Sequence, residues 1–154
     1  MKTEADNQII QLITFRMNEK IYAIDISYVR EINRISAVTK VPNSDSFIEG
    51  VMNLRGAIIP IISIRKRFCL EPASLSKSNK LIIVEFEGSP VGLIVDEIAE
   101  VVKIRALNIE SEKEKIDEIG TEFLGGLGKT DDGILPILDI YKLIDRERGA
   151  DEEI

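Results

Sequence analysis

The side chains able to do chemistry in this 154-residue chain leave one gap, because there is no histidine. The commonest general base, the usual partner of a nucleophilic serine, the usual transition-metal ligand and any phospho-accepting histidine are thereby missing. What remains is a single cysteine, Cys69, and a scatter of acids, of which Asp25, Asp96, Asp131 and Asp132 are the candidates for a small hydrolase or metal site. No paired acids stand at a convincing spacing. Asp131-Asp132-Gly133 comes nearest, but Asp-Gly is a standard hairpin signal and the stretch reads as a β-turn. Cys69 follows Phe68 in an apolar setting and reads as a small core residue; being alone, it excludes an intrachain disulfide and a multi-cysteine zinc site. No catalytic residue, cofactor or metal is assigned. Arg55 is a different case. It puts a permanent charge at a polar break, Asn53-Leu54-Arg55-Gly56, between two runs that otherwise look like buried strand.

The elements that carry these residues belong to a globular chain. Apolar residues make up 44% and charged residues 31%, and a chain of this length can bury ~70% of its unfolded surface in one domain. The formal net charge is −7 with basic residues dispersed, which disfavours nucleic acid and anionic membrane as partners. The longest uncharged apolar run, Ala57 to Ile64, is far short of the ~20 residues that span a membrane. The start, "MKTEADNQ", is polar and acidic rather than signal-like, so a cytoplasmic location is expected.

Ile- and Val-rich segments recur at 9–17, 21–26, 57–62, 81–86, 91–95 and 134–138, separated by turn formers such as Asn18-Glu19, Gly56 and Glu87-Gly88-Ser89-Pro90. That pattern predicts an all-β barrel or sandwich. Helical signals are short. One starts near Asp25 or Ser27 and sets Val29 and Ile32 on one face; another, "DIYKLIDRER" from Asp139, puts Ile140, Leu143 and Ile144 on one face.

Sliding the chain by 76 residues aligns 47–68 with 123–144 without a gap, with seven of 22 positions identical, including Phe47/Phe123, Gly50/Gly126 and Pro60/Pro136. Ser63 and Asp139 fall together and both suit a helix N-cap, so each unit should end strand, cap, helix. A weaker echo relates "LITF" and "YAIDI" to "LIIV" and "VGLIV" at a spacing of 69. Two similar β lobes are expected, divided near the polar linker 71–80: the first about 15–80, the second about 81–148. Lobes of that size have marginal cores alone and should lean on each other. The walls of a groove between them would come from the Val29/Ile32 face and from "IAEVV", 98–102, unless these residues simply form the inter-lobe core.

"GVMNLRGAIIPIISI", "VGLIVDEIAEVVKI" and "LGGLGKTDDGILPILDIYKLI", in that order and spacing, closely resemble the CheW family of chemotaxis coupling proteins. The resemblance runs from about Ile9 to Ile144. Ser63 stands where the family usually has Asp or Asn, and the charged stretch 110–120 lies where the family varies and reads as a solvated loop. A receiver domain is not expected, so the chain does not look like the two-domain CheV relative.

The resemblance implies two packed SH3-like five-stranded barrel lobes with short connecting helices and a C-terminal helix. It places them in one domain, 9–148, with the N-terminal strand either kept or exchanged between lobes and with flexible tails at 1–8 and 149–154. It also implies a non-catalytic adaptor that couples the cytoplasmic tips of methyl-accepting chemoreceptors to the histidine kinase CheA. Such a protein docks on the kinase's regulatory domain and is recruited to membrane-associated receptor arrays. An adaptor for another CheA-type kinase, as in pilus motility, is the alternative within the family. Carried over by position, the receptor groove would use Ile26, Val29, Glu31, Ile32, Gly50 and Arg55, with Leu81, Gly92, Ile98 and Val101 from the second lobe. Apolar anchors would supply affinity and the two charges orientation. Kinase docking would use the region of Ser36, Val38, Val41 and Pro42. Alone, Arg55 reads as a solubilising charge at a hairpin tip; the second lobe's equivalent is Asp131, of opposite sign, and together with the resemblance this implies a partner-facing contact carried by one lobe only.

Overall fold

The computed structural model describes residues 7–71, 76, 78–110 and 121–144. The tails expected at 1–8 and 149–154 lie almost wholly outside the described residues, as do most of the charged stretch 110–120 and the chain beyond 144. Eleven strands are present among them: β1 (Ile9–Met17), β2 (Lys20–Asp25), β3 (Val29–Arg34), β4 (Ile48–Leu54), β5 (Ala57–Ser63), β6 (Lys80–Phe86), β7 (Ser89–Val95), β8 (Glu97–Arg105), β9 (Ile109–Glu110), β10 (Leu124–Thr130) and β11 (Gly133–Leu138). Two short helices, α1 (Ile64–Arg67) and α2 (Ile140–Ile144), follow β5 and β11.

The β-branched runs pair as two mixed sheets, a six-stranded one in the order β8-β1-β2-β11-β10-β9 and a five-stranded one in the order β3-β6-β7-β5-β4. The repeat is present bond for bond. Hairpins β4–β5 and β10–β11 share a two-residue loop, the same Val51↔Pro60 and Leu127↔Pro136 pairing, and a bulge at the same place, before Gly50 and before Gly126. β5 runs parallel to β7 with Ile61 opposite Gly92; β11 runs parallel to β2 with Ile137 opposite Ala23. These partners differ by the 69-residue offset. Each unit then turns into its helix through the expected cap. Ser63 Oγ accepts from the Lys66 N–H at 3.1 Å, and Asp139 Oδ1 accepts from the Tyr141 N–H at 2.8 Å.

Sheet membership corrects the linear division at residue 80. The whole hairpin β1–β2, not one strand, joins the second lobe, and β6–β7, with Leu81 and Gly92, joins the first. Pairing along β5 and β11 is parallel, and a parallel partner cannot be reached by a tight turn, so each lobe takes its hairpin from elsewhere in the chain.

The helix expected from Asp25 is a single 3-10 turn, Ile26–Tyr28, capped by Asp25 Oδ1 accepting from the Ser27 N–H at 2.9 Å. β3 begins directly after it because Val29, Ile32 and their neighbours find ladder partners on β6, with a bulge between Val29 and Glu31. The bulge keeps Val29 and Ile32 on one face, opposite Val84 and Ile82, but Val29 packs against the core while Ile32, farther along the edge strand, is 41% exposed. Cys69 is also misplaced by the sequence reading. It is exposed, at φ 58, the left-handed residue that ends α1, with its N–H bonded to the Lys66 carbonyl at 3.1 Å.

The cores show why the lobes are inseparable. Each lobe has a small private cluster, six residues around Ile61 and Leu81 in the first and five around Leu12 and Ile137 in the second. The cluster of 21 buried residues draws on both sheets and both helices. Inside it, the Tyr22 and Phe68 ring centroids are 5.1 Å apart, and those of Phe68 and Phe123 5.6 Å apart. Arg67 fastens the seam: its guanidinium lies 4.1 Å from the Phe47 centroid and 4.9 Å from that of Phe123, the repeat pair. Its Nε donates to the Leu143 carbonyl at 2.8 Å and Nη2 to that of Lys142 at 3.2 Å, partnering carbonyls in the last turn of α2. Arg67→Ala is expected to cost about 2 kcal/mol, a fall in Tm of roughly 4 to 8 °C, with Arg67→Lys recovering little because an ammonium cannot stack and fork at once. A thermal melt within 1 or 2 °C of wild type, on that same scale, would refute the seam role.

Candidate partner-binding site

Arg55 sits at the tip of the β4–β5 hairpin. Arg55 at φ 50 and Gly56 at φ 87 both have left-handed backbones, the two-residue loop whose twist matches that of the strands. Asn53 Oδ1 accepts from the Gly56 N–H at 3.0 Å and holds the turn closed. An arginine at a position that favours Asn or Gly is retained against a conformational penalty. From there Arg55 Nη2 reaches Glu31 Oε2 on β3, the other edge of the same sheet, at 2.6 Å. Asn33 Nδ2 donates to the other carboxylate oxygen of Glu31 at 2.7 Å. The pair overhangs a depression of about 240 Å³ floored by Ile59, Ile83 and Pro90.

The hydrogen bond from Arg55, followed by that from Asn33, holds the Glu31 carboxyl below the usual glutamate range. The same bond raises the Arg55 guanidinium further above its already high value. Because the folded carboxyl titrates below the unfolded one, the pair's contribution is present above the unfolded glutamate pKa and disappears as pH falls through the lowered value. An NMR titration is expected to place Glu31 below a random-coil glutamate and Arg55→Ala to move it back up. An unchanged midpoint in the variant would remove Arg55 as the cause.

The other sequence-assigned residues divide by burial. Ile26, Val29 and Ile98 are half-buried against the shared core, whereas Ile32 and Val101, 53% exposed on edge strand β8, offer apolar surface. Leu81 has no exposed surface, and Gly50 and Gly92 are buried. A Cβ on Gly92 would stand 2.7 Å from Ile61 Cδ1 and 2.8 Å from Leu81 Cδ1. Their assignment as groove-lining contacts is corrected: these three shape the first lobe from inside, since an apolar strand position facing the core has no surface to give. In the loop between β3 and β4, Ser36, Val41 and Pro42 are exposed, while Val38 packs on the first lobe's private core. Thr39 and Val51 exchange two backbone bonds of 2.8 Å and pin that loop to β4.

The acids considered for catalysis do not converge. Asp25 is a cap, Asp131 and Asp132 form a hairpin loop, and Asp96 pairs with Arg65 Nη2 at 2.7 Å. Sequence reasoning missed Asn33, the second donor to Glu31, and Ile58, 62% exposed beside the Arg55 turn. The alternation through "AIIPII" toward Pro60 could have shown that Ile58 points outward.

A family model described as "CheW-like domain" matches residues 11–148. The chemotaxis protein CheW of Treponema pallidum (strain Nichols) is 37% identical over 137 residues, 86% of this chain and 81% of that protein. Its counterpart in Klebsiella aerogenes is 35% identical over 140 residues, 91% of this chain and 84% of that protein. Among solved structures, the scaffolding protein TtCheW from Thermoanaerobacter tengcongensis superposes with a TM-score of 0.82 at 38% identity, covering 90% of this chain and 94% of that one.

Proposed function

The chain belongs to the CheW family and is a chemotaxis adaptor and scaffold, and on that premise we propose that it couples methyl-accepting chemoreceptor tips to the histidine kinase CheA. The observation that carries the proposal is the exposed Glu31–Arg55 pair at the lip of an apolar depression. Such a pair orients a partner helix while Ile32 and Val101 anchor it. The pinned loop bearing Ser36, Val41 and Pro42 lies on the first lobe and is the surface proposed for the kinase's regulatory domain. The adaptor works without catalysis, in keeping with the lack of histidine and the dispersal of Asp25, Asp96, Asp131 and Asp132 into capping, ion-pair and turn roles. Its place is the cytoplasm, at receptor arrays; no helix among the described residues is long and apolar enough to cross a membrane. Titrating the purified chain against a receptor-tip fragment and against the kinase regulatory domain tests both contacts. Saturable binding to both is expected, and binding to neither would overturn the assignment.

A further inference from the structure

The chain passes between the lobes at two places, from β2 to β3 and from β7 to β8. The first passage is the 3-10 turn that Asp25 caps, and none of its residues is buried. The second is a single residue, Asp96, and polar groups from both lobes converge on it. From the first lobe, Arg65 on α1 donates to the Asp96 carboxylate through Nη2 at 2.7 Å and Nε at 3.4 Å, while its Nη1 donates to the Glu71 carbonyl at 2.8 Å. From the second lobe, the Asn18 N–H in the β1–β2 turn donates to the same carboxylate at 2.7 Å. Asn79, just before β6, donates to the Val95 and Asp96 carbonyls at 3.4 and 3.3 Å. Arg16 completes the junction, donating to the Asn18 carbonyl at 2.8 Å and to the Glu97 carboxylate at 2.6 Å.

The side chains of Arg65 and Asp96 are 18% and 14% exposed, against 68% for Arg55. A pair so covered has little surface to offer a partner, and its bonds are directional where apolar packing is not. α1 therefore reaches the second lobe by two arms, Arg67 into the aromatic seam and α2, and Arg65 into the passage to β8. One attachment fixes a distance. Two fix an orientation.

We infer that Asp96 is a positioning residue for receptor binding. By tying α1 to the β1–β2 turn it sets the angle at which β8 leaves the first lobe, and with it the place of Ile98 and Val101 relative to Val29 and the Glu31–Arg55 pair. Ile98 follows Asp96 by two residues and Val101 by five, so a turn of the chain at Asp96 moves both. The inference rests on the groove reading above and adds to it residues that the partner does not touch. Such residues change affinity through the contacts they hold in place, by roughly 3- to 30-fold.

Three substitutions divide the junction. Asp96→Ala removes both arms, Arg65→Met removes only the first-lobe arm, and Asn18→Gly keeps the backbone N–H and a φ of 60 that glycine adopts freely. Calorimetric titration is expected to show receptor-tip affinity lowered ~10-fold in Asp96→Ala, less in Arg65→Met and unchanged in Asn18→Gly, with affinity for the kinase regulatory domain within ~2-fold of wild type throughout. Arg65→Met with Asp96→Ala should lose no more than Asp96→Ala alone, because the two act through one contact. The readout that a merely stabilising role would not move is the distance between lobes. With Cys69→Ser as background, spin labels at Lys40→Cys in the first lobe and Asp132→Cys in the second, both exposed positions, should give a narrow distance distribution, and Asp96→Ala should shift or broaden it. Should Asp96→Ala fail to fold, Arg65→Met, which keeps the Asn18 bond, carries the same test. An unchanged distance distribution, an unchanged receptor affinity or an equal loss of both partners would each overturn the inference while leaving wild-type receptor binding, and so the groove reading, in place. Wild type that binds no receptor tip would defeat the groove reading and the inference with it.

Discussion

Arg55→Glu is expected to weaken binding to a receptor-tip fragment by at least ~30-fold while leaving the melting curve nearly in place and kinase binding within a few-fold of wild type. The fold should survive for a reason internal to the chain. The β6–β7 hairpin already carries a glutamate at the same loop position, Glu87 at φ 51 before Gly88 at φ 83, almost the angles of Arg55 and Gly56. Loss of a solvent-screened pair changes the stability of the fold little, whereas a reversed charge at a complementary interface costs several kcal/mol. Isothermal titration against each partner separates the effects. The double variant Glu31→Arg with Arg55→Glu sharpens the result, since it restores the pair within the lobe with its polarity inverted. If Arg55 serves only to hold the turn, the double variant recovers receptor binding; if Arg55 meets the partner, binding stays lost. Unfolding of the single variant, or equal loss of both partners, would defeat the claim.

How far the sequence alone reached depends on whether a feature is local. The repeat was legible because Phe, Gly and Pro at the 76-residue spacing each mark a backbone requirement: the inter-lobe ring, the bulge and the strand position that needs no N–H. Caps and hairpin loops were legible for the same reason. Strand partners were not. Nothing local states that β6–β7 serves β5 rather than β8, so a split at the polar linker was the natural reading and the hairpins were assigned to the wrong lobes. The Val29/Ile32 spacing misled because a bulge shifts strand periodicity by one residue, and three-residue spacing then imitates a helix. The Glu31–Arg55 pair joins residues 24 apart on opposite sheet edges; the family resemblance named each as a partner-facing charge but not as a pair, and only the fold brings them together.

Gly50→Ala is expected to be the most damaging small substitution in the chain, and its equivalent Gly126→Ala a mild one. Gly50 has φ +150, and a Cβ there would stand 2.2 Å from the Thr39 carbonyl oxygen and 2.7 Å from its carbon. Neither atom belongs to a flexible side chain, so Thr39 must leave Val51 and both 2.8 Å bonds go with it. Strain and lost bonds together come to about 3 kcal/mol. At Gly126 the nearest atom is Ile109 Cγ2 at 2.9 Å, a side chain that can turn, followed by the Glu110 carbonyl at 3.3 Å. About 1 kcal/mol is expected there. Urea denaturation should rank the two variants in that order. The functional consequence should also be directional. Freeing Thr39 releases the loop that carries Ser36, Val41 and Pro42, so kinase binding should fall further than receptor binding, the opposite of Arg55→Glu. Gly50→Ala with wild-type stability would show that the loop is not pinned at Thr39. A selective loss of receptor binding would return Gly50 to the groove as a contact, where burial now argues that it acts by letting two backbones meet.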